Sequence, residues 1–318
     1  MRIALAGSGL LGATLYRALC ESGHDIVAIV QDGRLTRGWK RRATPFAAQW
    51  LGGPNAMTGI ARWYKIPIIW VDTMQEAELE PLRQLQPDLL LVGGFGIILK
   101  APLLNLPAVG CVNVHSSLLP KHRGPNPFRA ALLAGESETG VSFHVMTEGI
   151  DTGAILLQRA FDIGPRDTAF DIYRHSCKVA GTMLPEVLDR IEVSGLQGTP
   201  QDESIATYDK NLKEEDTWID WRWTAEEIDR FIRALTPTPA PRILFRGRLI
   251  RVSRSEFDAE PVDAPPGVVL KNRPWVEVAT GQGRVKLRVA FQKSPYPWIW
   301  PAPGNRPEVG EQLEIHGP

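Results

Sequence analysis

Hydrophobic and polar positions follow two different patterns along this chain. Short apolar runs at residues 2–6, 25–30, 67–71, 89–93, 111–115, 141–146 and 155–161 have the length and β-branched content of strands. Residues 10–22, between the first two runs, carry apolar side chains at helical spacing. Residues 167–191 place Ile172, Cys177, Ala180, Leu184, Leu188 and Ile191 on one helical face, with Pro185 expected to kink or break that helix. Strands alternating with helices predict an α/β fold: a Rossmann-like, mostly parallel sheet covered on both faces.

Beyond the polar, turn-rich run LQGTPQDES at 196–204 the pattern changes. A helical stretch at 224–235 precedes short β-rich pieces at 242–245, 248–252, 267–270, 275–279 and 285–290, separated by Pro and Gly. That spacing suggests a smaller β-rich, barrel-like C-terminal domain. The predicted organisation is therefore a catalytic domain at 1–195, a linker at 196–204 and the second domain at 205–318. The Pro- and Trp-rich stretch 294–307 is expected to pack as irregular structure.

The 318 residues suit two domains, and 43% hydrophobic content excludes a largely disordered chain. No apolar run reaches about 18 residues, so no membrane span is expected. The amino terminus reads directly as strand and helix rather than as a leader, and a cytoplasmic location is the expectation. Cys20, Cys111 and Cys177 are too widely spaced for a disulfide framework or a metal knuckle, and no metal is expected. Lys and Arg total 36 against 36 Asp and Glu, which weighs against a nucleic-acid partner. The average hides clusters: Arg34, Arg37, Lys40, Arg41 and Arg42 surround Trp39, and five arginines fall within 242–254.

Two motifs compete. Gly7-Ser8-Gly9-Leu10-Leu11-Gly12 follows the first strand and opens a helix, and Asp32 lies about 20 positions further on, as in dinucleotide sites. Glycines there let a pyrophosphate approach the backbone, while the acid holds a ribose; the same glycines also suit a tight strand-to-helix turn. The second motif begins with Asn113 and His115, two apart at a strand end and so on one side of it. Parallel sheets place their ligand crevice at such strand ends. An amide donor beside an imidazolium can trap an oxyanion, and a nearby carboxylate such as Asp151 can orient the imidazole. Neither Ser nor Cys stands as an obvious nucleophile, so the acyl acceptor is expected to attack directly.

Asn113-x-His115, then Ser117-Leu118-Leu119-Pro120, Arg123-Gly124 and Asp151-Thr152-Gly153, closely resemble the core of the folate-dependent formyltransferases. Gly94-Phe95-Gly96-Ile97-Ile98-Leu99 resembles the segment that borders the pterin in that family, and Asp220-Trp221 with the helix after it resembles the start of its C-terminal domain. The resemblance implies 10-formyltetrahydrofolate as formyl donor and a primary amine as acceptor. It implies that Asn113 and protonated His115 stabilise the tetrahedral oxyanion, and that Asp151 orients His115 and helps move a proton. Phe95, Ile97, Ile98, Leu99, Glu148, Ile150 and Asp151 would border the folate. Two features depart from the family's pattern: the dinucleotide-like glycines at 7–12, and the long stretch at 43–67 interrupted at 50–54.

For the acceptor, the basic stretch at 31–42 stands where the family's tRNA-directed members carry a basic loop. It could pair with phosphates while Trp39 stacks on an unpaired base. This favours the amino group of initiator methionyl-tRNA, with Arg34, Arg37, Lys40, Arg41, Arg42 and Arg123 as substrate-binding residues. Pro125-Asn126-Pro127-Phe128 departs from the tRNA-directed members and leaves room for an amino sugar or a carrier-bound aminoacyl group. A NAD-binding protein using Gly7–Gly12 is the remaining alternative. The expected assembly is a monomer or weak dimer.

Overall fold

The computed structural model describes residues 1–34, 36–52, 56–290 and 306–314, with no side-chain description at 289 and 290. The stretch 294–307 therefore lies almost wholly outside the described residues. The chain forms two compact units. The first comprises Met1–Pro127, Glu138–Phe161 and Tyr173–Asp209, and the second Phe128–Ser137, Asp162–Ile172 and Lys210–Pro318.

The first unit is built on a seven-stranded sheet. Its strands are β1 (Arg2–Gly7), β2 (Asp25–Asp32), β3 (Ile68–Val71), β4 (Leu89–Gly93), β5 (Gly110–His115), β6 (Glu138–Val145) and β7 (Ile155–Asp162), in the order β3-β2-β1-β4-β5-β6-β7. The first five run parallel, and β6 pairs antiparallel with β5. Burial on both faces explains the near-continuous apolar runs. Ile3, Leu5, Leu89 and Leu91 join one core, whereas Ala4, Ala6, Leu90 and Val92 join the other. Helix α1 (Gly9–Glu21) covers the first face with Leu11, Leu15 and Leu19, and α4 (Glu76–Gln84) covers the second with Leu79 and Leu82.

Three local details stand beside this layered plan. Helix α7 (Ala169–Ser194) continues through Pro185, because Leu184, Val187 and Leu188 are buried around it and their packing outweighs one lost amide bond. Lys40, Arg41 and Arg42 belong to the first turn of helix α2 (Lys40–Leu51) rather than to a loop, and a further short helix, α3 (Met57–Trp63), follows. Residues 196–204 fall within the first unit, where Thr199 exchanges two backbone hydrogen bonds with Ile155 at 2.8 and 2.9 Å.

The second unit holds a five-stranded antiparallel sheet of half-barrel type, in the order β10-β11-β12-β9-β8. Its strands are β8 (Arg242–Phe245), β9 (Arg248–Asp258), β10 (Val269–Lys271), β11 (Val276–Ala279) and β12 (Arg284–Ala290). Helix α8 (Ala225–Leu235) packs on it, started by a capping box in which Thr224 and Glu227 satisfy each other's backbone amides. Most of the second basic stretch is consumed by the fold. Arg242 is buried against Glu214 and Thr217, Arg246 pairs with Glu311 at 2.8 Å, and Arg251 donates to the Pro239 carbonyl.

Candidate active site

Strand alternation puts the side chains of Asn113 and His115 on one side of β5, at the edge where all five parallel strands end. Residues 147–154, between β6 and β7, fold back over the β5–β6 pair. They are held there by the Val145 amide on the Ala154 carbonyl at 2.9 Å. The turn leaves no room for a side chain at Gly153, where a Cβ would lie 1.8 Å from the Val145 carbonyl oxygen. Asp151 takes a left-handed backbone, φ +54°, that aims its carboxylate back at the strand.

The result is a closed polar cluster. Asp151 Oδ2 lies 3.5 Å from His115 Nδ1 and accepts the Gly124 amide at 2.9 Å. Asp151 Oδ1 accepts from Asn113 Nδ2 at 3.3 Å and stands 3.4 Å from His144 Nε2. His144, close to Asp151 in sequence and a weak candidate for the site on that ground alone, is opposite Asn113 in the β5–β6 register. Its ring is also 6.4 Å from that of His115. Only the antiparallel pairing, invisible in a single strand's sequence, brings it in.

The hydrogen bonds assign the tautomer of His115. Nε2 is 2.8 Å from the His122 carbonyl, which can only accept, so Nε2 carries the proton and Nδ1 is the basic nitrogen facing Asp151. His115 is 6% exposed, and burial pushes its pKa below the ordinary histidine value despite the pull of Asp151. Burial alone would raise the Asp151 pKa, but the hydrogen bond to His144, the proximity of His115 and the Gly124 amide outweigh it and hold the carboxyl at about 2. A carboxylate beside a neutral imidazole is a site built to accept one proton at Nδ1 and stabilise the cation so formed.

The other expected site residues divide. Phe95 and Ile97 are half-buried against the core and Leu99 lies within it, whereas Ile98 is 65% exposed. Glu148 is exposed and Ile150 is 47% exposed on the loop that carries Asp151. Arg123 is 0% exposed, and its guanidinium is taken up by Gln201 (2.8 Å), Glu203 (2.7 Å) and the Tyr208 hydroxyl (2.5 Å), so it ties the loop after β5 to residues 201–208. Arg34 chelates Asp32 and donates to the Gly96 carbonyl at 2.6 Å, and Arg41 pairs with Asp72 at 2.6 Å. Arg37, Lys40 and Arg42 are exposed beside Trp39, itself 75% exposed, and make no ion pair among the described residues.

The glycines at 7–12 have a packing explanation. A Cβ on Gly7 would lie 2.7 Å from the Gly93 carbonyl, and one on Gly12 would lie 2.9 Å from the Gly7 carbonyl carbon. At the start of α1 the Leu11 amide already donates to the Tyr173 hydroxyl at 3.2 Å. Asp32, the acid a ribose would need, is held below the usual carboxylate range by its hydrogen bonds with Arg34. Cys111 is a core thiol that burial pushes up to about 12. Among the described residues no group of three or more His, Cys, Asp or Glu could hold a metal ion.

Comparison with known proteins places the chain in a family. Residues 1–188 match the family model described as formyl transferase, and residues 211–295 match the formyl transferase C-terminal domain. The chain is 35% identical over 291 residues to a methionyl-tRNA formyltransferase of Coxiella burnetii, covering 90% of this chain and 89% of that protein. It is 33% identical to the enzyme of the same name from Marinobacter nauticus, covering 91% of each. Among solved structures it is similar in fold to WlaRD, a sugar 3N-formyl transferase crystallised in the presence of dTDP and 5-N-formyl-THF. That match has TM-score 0.67 and 19% identity, and covers 92% of this chain and 99% of that one. An N-formyltransferase from Helicobacter canadensis in complex with folinic acid and dTDP-3-aminofucose superposes with TM-score 0.66 at 18% identity, covering 91% and 99%.

Proposed function

The chain belongs to the formyl transferase family, and from that premise we propose that it moves the formyl group of 10-formyltetrahydrofolate to the amino group of initiator methionyl-tRNA. The observation that carries the acceptor is the exposed run Arg37, Trp39, Lys40 and Arg42. It follows β2 at the edge where β5 delivers Asn113 and His115, and Arg34 ties it to the Gly96 carbonyl. Exposed cations around an aromatic ring suit phosphates and a terminal base.

The folate supplies an activated formyl group. Ile98 and Ile150 offer exposed apolar surface, of the kind a flat heteroaromatic ring covers, on the two loops expected to border it. Asn113 Nδ2 donates to the formyl oxygen as that oxygen gains negative charge. His115 Nδ1 takes the proton that the attacking amine must lose and passes it to N10 of the departing tetrahydrofolate, as the oxyanion collapses to the new amide and the formyl carbon–N10 bond breaks. Asp151 stabilises the resulting imidazolium on one side, while the His122 carbonyl keeps Nε2–H on the other.

The deciding assay offers 10-formyltetrahydrofolate with either charged initiator tRNA or a panel of free and nucleotide-linked amino sugars. Formylation of the tRNA with no turnover of the sugars is expected. The converse result would replace this acceptor with a sugar amine, the second reading, which the run Pro125-Asn126-Pro127-Phe128 favours.

A further inference from the structure

The segment 201–209 touches both ends of the polar cluster without contributing a side chain to it. Gln201 Nε2 donates to the Asp151 carbonyl at 2.8 Å and to the Gly153 carbonyl at 2.7 Å, bracing the turn that holds Asp151 at positive φ. Gln201 Oε1 accepts from Arg123 at 2.8 and 3.1 Å, so one side chain ties that turn to the loop following β5. Further on, Thr207 Oγ1 accepts the His122 amide at 2.8 Å, and the Thr207 carbonyl accepts the Arg123 amide at 2.9 Å. Asp209 Oδ2 lies 2.8 Å from His122 Nδ1. His122 is thereby fixed at φ +58°, and its carbonyl is the group that receives His115 Nε2–H.

We propose that residues 201–209 form a positioning clasp for the formyl-transfer site. In it Gln201 sets where Asp151 stands, and Thr207 sets where the His122 carbonyl meets His115. The proposal rests on the reading of Asn113, His115 and Asp151 as the reacting groups. Neither Gln201 nor Thr207 touches those side chains; Gln201 acts through the Asp151 and Gly153 carbonyls and Thr207 through the His122 and Arg123 amides. The groups facing His115 are Asp151, His144 and His122, the last backed by Asp209. Asp151 and the His122 carbonyl favour the imidazolium, so loosening either makes His115 titrate at lower pH.

Four variants of the full chain test this. Gln201→Met removes both polar ends at similar length. Gln201→Glu keeps an acceptor for Arg123 but has no N–H for the two turn carbonyls. Thr207→Val removes the hydroxyl, and Thr207→Ser restores it. The readouts are the His115 imidazole titration by NMR, and kcat and KM for formyl transfer. Gln201→Met and Thr207→Val, which add no charge, are expected to move the His115 titration to lower pH. With Gln201→Glu, they should also reduce kcat by about 10- to 100-fold, the scale of a small misplacement of reacting groups. KM should hold within about twofold, since no substrate contact is lost. Thr207→Ser should match the unaltered chain. An unchanged titration and kcat in Gln201→Met and Thr207→Val overturns the clasp, as does a loss confined to KM. Absence of formyl transfer by the unaltered chain sinks the reading of the site instead, and the His115 titration still decides the clasp.

Discussion

Asn113 and His144 face each other across β5 and β6, with the amide nitrogen 3.2 Å from His144 Nε2. Asp151 Oδ1 lies 3.4 Å from the same Nε2, and His144 Nδ1 is 2.9 Å from the Val145 carbonyl. The Asn113 donor contact to Asp151 is also long at 3.3 Å. Such bonds orient the amide yet release it readily to a substrate oxygen. Asn113→Ala should slow turnover by about 100- to 1,000-fold, the usual cost of one oxyanion donor. His144→Ala, which only disorients that donor, should cost about tenfold, or roughly 1.4 kcal/mol. Steady-state formyl transfer by the two variants checks the ranking, and equal losses would put His144 in direct contact with substrate.

Asp151 ionises at about 2, below the ordinary carboxyl value of 3.8. A depressed carboxyl pKa contributes stability above the unfolded value and loses it as pH falls through the folded one. Asp151→Asn should therefore cost about 2 kcal/mol of stability at neutral pH, shrinking towards zero between pH 4 and about pH 2. Denaturant unfolding of both proteins across that range measures the gap. A gap constant with pH would mean that the charge of Asp151 contributes nothing.

His115 has its pKa lowered, mainly by burial, so its neutral form is favoured in the folded state. That preference is present above the ordinary value of 6.5 and is lost as pH falls through the lowered one. Since Nδ1 must be free to take a proton, kcat should stay level through neutral pH and fall on an acid limb below 6.5. A pH–rate profile settles it, and a limb above 6.5 would contradict the proton-acceptor role.

Arg123 is buried with its donors engaged by Gln201, Glu203 and Tyr208. Arg123→Met keeps the volume and loses these charged hydrogen bonds, so it should destabilise the protein by about 2–3 kcal/mol. Glu203 is left exposed enough to hydrate, which keeps the cost from rising further. Loss of acceptor affinity with an unchanged melting temperature would return Arg123 to the substrate side.

For a tRNA acceptor, apparent affinity should fall steeply with salt. Replacing Arg37, Lys40 or Arg42 by Gln should each reduce the slope of log affinity against log salt by about one. Arg41, already paired with Asp72, should change that slope less. A salt-independent acceptor affinity would point to a small uncharged amine.

The linear chain determined its layered first unit, because strands buried on both faces must read as apolar runs and their covering helices as 3.6-residue stripes. It also determined that Asn113 and His115 share a side, since alternation along a strand is local geometry. What lay beyond local geometry was decided in three dimensions. His144 joins Asn113 only through antiparallel pairing, and Gln201 reaches Asp151 from 50 positions away. Arg123 has the composition of a substrate contact but the burial of a structural anchor, because the segment after it supplies three partners at once. The zero net charge, too, describes a sum, whereas ion pairing in the fold decides which cations remain exposed: Arg34 and Arg41 are paired, while Arg37, Lys40 and Arg42 face solvent. Residue type and spacing fix what can sit on one element; which elements meet is set by the burial of the whole core, and that is where the site is assembled.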